Sequence, residues 1–209
     1  MNIYRITTEQ KSDEGTYPWV GWLGPLADLS YADRLPPRLS ENQKAFFKAN
    51  SHISSGLHID SGSIWSDILG FGGTVPSFFV SERIINTLKS ENIPLLNTIQ
   101  APIAKIEKRG KKLLLSSAPN YYLMEAPPGI LRNWEEMGYV LNSDGTPNRE
   151  KMPNPRKQQC LKATSWLNLD IFCPDDPICT TDIYCTDRIV ELAEKHQWTN
   201  IAFELIRVV

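Results

Sequence analysis

The chain has 209 residues, of which 41% are hydrophobic and 22% charged, and its formal net charge is -2. A chain of this length buries roughly 70% of the surface that its unfolded form exposes, so it can build a core without disulfides or metals. The near-neutral charge balance gives no basis for binding to nucleic acid or to a membrane surface. At its start, MNIYRITTEQ lacks the apolar stretch of a secretory signal, so we expect a cytoplasmic protein.

The first predicted element is a strand over residues 2–7, NIYRIT, whose alternation places Ile3 on one face and Tyr4 on the other. Residues 11–40 are dense in Gly, Pro, Asp and Trp without a sustained period, which predicts an irregular segment. A short helix is predicted over residues 40–49, with its first residue as the N-cap.

Residues 95–124 alternate in a way that predicts antiparallel strands, with a hairpin turn at Gly110. No aromatic residues interleave with the basic residues around this turn, so they indicate a solvated hairpin tip and no nucleic-acid patch; they are Lys105, Lys108, Arg109, Lys111 and Lys112. Residues 126–158 are rich in proline and turn formers, which predicts a long irregular excursion. A connection of this length in a compact protein is commonly functional or mobile.

Two distant segments match in chemical character at every position: residues 79–85 read FVSERII and residues 184–190 read YCTDRIV. Each follows a tryptophan and a turn-rich linker and continues into a helical stretch and an apolar strand. This similarity predicts an internal duplication over residues 65–103 and 166–209. We therefore expect an α+β fold in which two strand-helix-strand units share a sheet with the antiparallel hairpin region.

Each copy reads as the start of a helix. Ser81 and Thr186 are placed where an N-cap hydroxyl accepts from free backbone N-H groups, and an acidic residue follows each. Hydrophobic staples are predicted to pair the residue before each cap with N4, namely Val80 with Ile85 and Cys185 with Val190. Further residues that the copies share are assigned to folding: Trp65, Asp67, Phe79, Glu82, Trp166, Asp170, Tyr184 and Asp187.

Three of the four cysteines, Cys173, Cys179 and Cys185, are spaced six residues apart in numbering. They lack the two-residue spacing with which zinc sites bring thiolates together, and a disulfide would need an oxidising compartment. We expect small buried apolar side chains and neither a metal nor a cofactor. Cys185 in particular occupies the place of a valine in the other copy.

An enzymatic alternative rests on HISSGLHID, which contains His52, His58 and Asp60. Two histidines and a carboxylate are the ligands of one class of catalytic iron site, and Ser54 or Ser55 is a candidate nucleophile with His58 as its base. The only downstream candidate for the distal histidine of such a metal site is His196, at the end of a predicted helix, and no strand-to-helix elbow surrounds the serines. The segment is therefore interpreted as a loop, with a metal-dependent or hydrolytic enzyme kept as the alternative.

Within the irregular excursion, NWEEMGY combines aromatic and acidic residues in the way typical of an interaction loop. The predicted partner contacts are Trp134, Glu135, Glu136, Asp175 and Asp176. The sequence leaves open whether the chain forms a homodimer, and an adaptor that binds some other protein is a further alternative.

The segments WSDILGFGGTVPSFFVSERIINTL and DIYCTDRIVELAEKHQWTNIAFELIRV resemble immunity proteins of bacterial polymorphic-toxin and secreted-effector systems, including the double-CxxCG paralogue family. The chain departs from that family in having no CxxC pair. The resemblance implies a cytoplasmic protein, not an enzyme, that neutralises a cognate toxin by blocking its active site or surface. Acidic contacts suit such a role because many toxins that attack nucleic acid or the envelope are basic.

Overall fold

A computed structural model describes residues 2–9, 11–13, 15–23, 56–71, 77–109, 112–151, 158–175 and 182–209. Within these ranges the chain forms fifteen strands and two α-helices, which confirms the predicted α+β class. The strands are β1 (Ile3–Thr7), β2 (Lys11–Ser12), β3 (Gly15–Thr16), β4 (Trp19–Leu23), β5 (Leu57–Ser61), β6 (Ile68–Phe71), β7 (Ser77–Ser81), β8 (Asn97–Gln100), β9 (Ile103–Arg109), β10 (Tyr121–Glu125), β11 (Pro128–Ile130), β12 (Cys160–Leu161), β13 (Ile171–Pro174), β14 (Tyr184–Thr186) and β15 (Ala202–Val208). The helices are α1 (Glu82–Ser90) and α2 (Asp187–Lys195).

One sheet has the strand order β11-β13-β14-β1-β15-β12, with β1 at its centre. β1 pairs antiparallel with both β14 and β15. The alternation predicted for this strand is confirmed: Ile3 is buried in one apolar cluster, while Tyr4 and Ile6 face another that lies against the helices. The N-terminal strand therefore has an apolar cluster on each of its faces.

The second sheet has the order β8-β10-β7-β6-β4-β5-β9. Its two edge strands, β8 and β9, are joined by only Ala101 and Pro102, a link that spans at most about 11 Å. The sheet must therefore curl until its edges approach each other. At this corner the Leu57 amide of β5 donates to the Pro102 carbonyl (2.8 Å), and the enclosed face carries an apolar cluster that includes Val20, Leu57, Ile59, Leu69, Phe79, Tyr121 and Leu123.

Two sets of elements repeat one pairing scheme. In the α1 group (β6, β7, α1, β8, β10), Ile68 lies opposite Val80, which lies opposite Tyr122. In the α2 group (β13, β14, α2, β15, β1), Ile171 lies opposite Cys185, and Cys185 lies opposite Tyr4. β10 of the first group and β1 of the second also pair on their other side with the strand that follows the helix.

The helices form because an apolar stripe recurs at helical spacing and is buried. In α1 the stripe is Ile84, Ile85 and Leu88, and in α2 it includes Ile189 and Leu192. Both stripes belong to a single apolar cluster, which also contains Val80, Ile93, Ile171, Cys173, Cys185, Ala193 and Trp198. The two groups are therefore joined through one core between the helices.

Three sequence predictions were wrong. The two strand-helix-strand units do not share a sheet: among the described residues, the strands flanking α1 and those flanking α2 lie in separate sheets. Where the structure describes the chain after β9, no antiparallel hairpin partner for this strand is found; β9 pairs in parallel with β5, and Leu115–Ser117 form a short 3-10 helix, although β8 and β10 do pair antiparallel as predicted. Residues 11–23 form short strands, because β4 finds long-range partners in β5 and β6. The helix predicted over 40–49 and the turn at Gly110 lie outside the described residues.

Candidate functional site

The residues assigned to folding meet at two matching carboxylates. Asp67 accepts hydrogen bonds from the Ser81 hydroxyl (2.7 Å) and from the guanidinium of Arg83. Asp170 accepts from the Thr186 hydroxyl (2.6 Å) and from Arg188 (2.9 Å). In each group, a carboxylate before the first strand thus fixes both the residue before the helix and an arginine in its first turn.

This arrangement corrects the prediction that the two hydroxyls cap their helices. Ser81 and Thr186 do occupy the N-cap positions, but neither side chain makes a capping hydrogen bond. The hydroxyl is instead turned towards a carboxylate, which is the stronger acceptor because it is charged. In α1 the first free backbone amide, that of Glu82, donates to the carbonyl of Asn120 (2.8 Å).

The acidic residues that open the helices are held in the same way. The Glu82 carboxylate accepts hydrogen bonds from the side-chain amide of Asn120 (3.0 Å) and from the Tyr122 hydroxyl (3.4 Å). The Asp187 carboxylate accepts from the side chains of Asn2, just before β1, and Tyr4, in β1, both at 3.0 Å. The shared Asn-x-Tyr spacing in NYYLME and NIYRIT is a sequence signal that our duplication prediction missed.

Asp67 differs from Asp170 in having a third source of donors. The backbone amide and hydroxyl of Thr199 donate to it (2.9 and 3.0 Å), and its own amide donates back to the Thr199 hydroxyl (2.8 Å). Burial alone raises the pKa of Asp67, but the hydrogen bonds from Arg83, Ser81 and Thr199 outweigh it, so the pKa lies below the usual range. Asp67 therefore remains ionised while buried.

Each of the two arginines also contacts the end of the helix in the other group. Arg83 donates to the carbonyl oxygens of His196 and Gln197, at the end of α2 (2.9 and 3.2 Å). Arg188 donates to the carbonyl oxygen of Glu91, at the end of α1 (2.7 Å), and forms an ion pair with its carboxylate. The carbonyl groups at a helix end lack partners within the helix and attract positive charge.

The predicted staple residues lie where the two groups meet. Val80, Ile85 and Cys185 are buried in the shared cluster, and Val190 packs against it. Burial raises the pKa of the Cys185 thiol well above its ordinary value. Cys160 and Cys173 are likewise buried, and Cys179 lies outside the described residues.

The two predicted tryptophans lie shortly before β6 and β13 and contact neighbouring residues. Trp65 donates its indole N-H to the Leu114 carbonyl (3.1 Å) and packs against Tyr121. Trp166 donates to the Leu169 carbonyl (3.2 Å), close to Asp170 in the chain. Both side chains are partly buried, so these contacts belong to the scaffold.

The predicted interaction segment NWEEMGY lies in a longer surface loop, residues 131–148, which is held by hydrogen bonds within the loop and to Cys160. The amide of Asn133 donates to the Cys160 carbonyl (2.8 Å), and the amide of Tyr139 donates to the Trp134 carbonyl (2.9 Å). The rings of Trp134 and Tyr139 meet edge to face, with centroids 5.1 Å apart. Beside this pair Glu135 is exposed, and Val140 is 49% exposed.

The other predicted contacts divide into three cases. Glu136 is exposed but pairs with Arg207 of β15 (2.9 Å), which ties the loop to the sheet. Asp175 is exposed, and its amide donates to the carbonyl of Ile130 just before the loop (2.7 Å), so the structure does bring it beside the loop. Asp176 lies outside the described residues.

Sequence reasoning missed a charge cluster beneath the loop. It consists of side chains from five separate segments: Arg5, Arg132, Gln159, Asp182, Tyr184 and Glu204. Arg132, with 2% of its side chain exposed, donates to Asp182 (2.6 Å), and Gln159 donates to the same carboxylate (3.0 Å). No local sequence pattern links residues so far apart.

The region of the enzymatic alternative lies on β5. His58 and Asp60 stand two positions apart on this strand, which pairs with β4 and β9, while His52 lies outside the described residues. Across the described ranges, no group of three His, Cys, Asp or Glu side chains is arranged to hold a metal ion.

Neither described helix has the length and apolar character needed to cross a membrane. Comparison with protein-family models and with curated proteins finds no match to this chain. Its function must therefore be inferred from the arrangement of its own residues.

Proposed function

We propose that this chain is an immunity protein, which binds a cognate bacterial toxin and blocks the toxin's active site or surface without catalysing a reaction. The observation that carries this proposal is the loop over residues 131–148. It presents an aromatic pair and exposed acidic groups at the surface of the six-stranded sheet. The resemblance of the helix-start segments to immunity proteins points in the same direction.

The loop has the properties of a preformed binding surface. Its backbone is fixed to residues 160–162 by hydrogen bonds at its base and closed by the Leu141–Pro147 bridge near its tip. A surface that is already ordered loses less conformational entropy on binding than a flexible one. Aromatic side chains are also enriched among the residues that contribute most to binding energy.

The charge of the loop indicates the kind of partner. Glu135 and Asp144 are exposed, and Asp175 lies beside the base of the loop. Acidic side chains at the edge of an interface accelerate association with a basic partner and weaken association with acidic ones. The proposed partner is therefore a toxin with a basic surface next to its active site.

Affinity capture of the chain from its native cells, followed by a toxicity assay, tests the proposal. We expect a stoichiometric partner that is toxic when expressed alone and harmless when co-expressed with this chain. Glu135→Lys should weaken the complex at least about tenfold, because it replaces an attractive charge with a repulsive one. Its matched control is Glu194→Lys, the same reversal at an exposed position of α2.

Two outcomes would contradict the proposal. One is a captured partner that is not toxic, which would favour the adaptor alternative. The other is a loss of protection after His58→Ala and Asp60→Ala with the complex and fold intact, which would favour an enzyme acting at β5. Equal effects of Glu135→Lys and Glu194→Lys would place the contact surface elsewhere than the loop.

We also propose that the α1 and α2 groups descend from an internal duplication. Supporting this are the equivalent pairing of Val80 and Cys185 and the matching bonds of Asp67 and Asp170. β10 and β1 take equivalent places in the two groups, but β10 follows its unit in the chain and β1 precedes both units, so neither strand belongs to the duplicated segments. A variant in which residues 184–190 are replaced by FVSERII tests this idea, because equivalent segments should support the same fold.

A further inference from the structure

The α1 and α2 groups differ sharply at one set of matched positions. Leu123 of β10 lies opposite Phe79 on one side and Ile99 on the other. The corresponding residue of β1 is Arg5, which lies opposite Tyr184 and Glu204. The α1 group thus places apolar side chains at positions where the α2 group places charged and polar ones.

The α1 group shows that this pairing scheme is compatible with apolar side chains at the matched positions. Leu123 and Phe79 are buried in the cluster enclosed by the curled sheet, and Ile99 packs against it. A buried ion pair is often no more stabilising than apolar side chains of similar volume, although removing one partner alone leaves an uncompensated charge. Stability by itself therefore gives no reason for the charge cluster of the α2 group.

The cluster makes one contact that apolar side chains could not make. The Arg132 guanidinium carbon lies 5.4 Å from the centre of the Trp134 ring, within the range of a cation-π interaction. The same guanidinium donates to Asp182 (2.6 Å), and the backbone of Arg132 is bridged to Leu161. A continuous set of contacts thus runs from the sheet through Arg132 to the Trp134–Tyr139 pair.

We propose that Arg132 is the positioning residue of the interaction loop. Asp182 holds its guanidinium against the sheet, and the guanidinium holds the Trp134–Tyr139 pair in the orientation that contacts the partner. This inference rests on the proposed function in one respect, namely that the loop is the surface that the toxin meets. The ordering of the loop by Arg132 is a property of the isolated chain.

Amide hydrogen exchange of the full-length chain, without any partner, tests this ordering. The reporting amides are those of Met137, Gly138 and Tyr139, which donate to carbonyl groups within the loop. The decisive variant is Arg132→Met/Asp182→Asn, which removes the buried guanidinium and its partly buried carboxylate partner together. We expect exchange at the three loop amides to rise about tenfold or more, while amides in β1 and β14 stay within about twofold.

Two further variants separate positioning from a purely structural role. Arg132→Lys keeps the positive charge but lacks the planar guanidinium that stacks on Trp134, so it should also loosen the loop. Arg188→Met is the matched control, since it removes an arginine that pairs with two carboxylates elsewhere. It should leave the loop amides unchanged.

If the loop amides of the double variant exchanged at the wild-type rate, the proposal would be overturned, because the cluster would then stabilise the sheet alone. The same conclusion would follow if Arg132→Lys behaved like the wild type. If the loop loosens as expected but no toxin is captured, the positioning role stands and the immunity function fails. The two proposals can therefore fail separately.

Discussion

Arg83 and Arg188 each donate hydrogen bonds to the end of the helix that carries the other. The bonds run from Arg83 to the His196 carbonyl (2.9 Å) and from Arg188 to the Glu91 carbonyl (2.7 Å). Each helix therefore begins beside the end of its counterpart, and the two lie antiparallel over the shared core. Since each arginine is also held by the carboxylate of its own group, the two groups stabilise each other's helix ends.

We expect Arg188→Met to lower the free energy of unfolding by about 1–2 kcal/mol, the lower range for hydrogen bonds to a charged group, because the side chain is partly exposed. Arg83→Met should have a similar effect. The combined variant should lose less than the sum, by about 0.5 kcal/mol or more, since both arginines act on one interface. Urea unfolding of the three variants measures this coupling, and strict additivity would contradict it.

Asp67→Asn should reduce the loss in free energy of unfolding that occurs as the pH is lowered into the acid range. Because the folded-state pKa of Asp67 lies below its unfolded value, its ionised form stabilises the protein at neutral pH, and this contribution is lost as the pH falls through the folded pKa. The wild type should therefore lose stability below about pH 4. In the variant this part of the slope should be missing, although its stability at pH 7 is lower. Unfolding curves at pH 7 and pH 3 test the difference.

Cys185→Val should change the free energy of unfolding by less than about 1.5 kcal/mol, as volume-conserving swaps do. The position that pairs equivalently in the α1 group already carries Val80. In the native wild type the Cys185 thiol should resist a disulfide reagent, because it is buried and its pKa is raised. A chelator should leave the fold intact, and stoichiometric zinc that is lost together with the structure would contradict this prediction.

Tyr184→Phe should flatten the loss of stability at alkaline pH. Burial raises the pKa of Tyr184 to about 12, so the folded state keeps its phenolic proton after the unfolded state has released it. Its contribution is complete below the unfolded pKa and declines as the pH rises from about 10 towards 12. Unfolding curves at pH 8 and pH 11 measure this difference. Because Phe79 occupies the matched position, the variant should fold.

The parts of the fold that follow from neighbouring residues could be predicted from the sequence. The alternation in NIYRIT located β1, and the similarity of FVSERII to YCTDRIV located both helix starts. The role of the hydroxyls was predicted wrongly because their acceptors lie farther away in the chain: Asp67 precedes Ser81 by fourteen residues. A cap assigned from local spacing cannot take such an acceptor into account.

The candidate site was predictable only in its exposed part. The aromatic and acidic composition of NWEEMGY drew attention to Trp134 and Glu135, and both lie in an ordered surface loop. The supporting cluster was missed because Arg132 and Asp182 are fifty residues apart, and Arg5 is more distant still. The matching pairing of Leu123 and Arg5 becomes visible only once the sheets are known.

The place of β1 in its sheet has a consequence for how the protein forms during synthesis. All strands of the α1 group lie between residues 68 and 125, so that group can assemble while later residues are still being added. β1 instead waits for β14 and β15, and the bond between Asn2 and Asp187 joins residues 185 positions apart. Such distant contacts slow folding. We therefore expect the six-stranded sheet to close later than the α1 group.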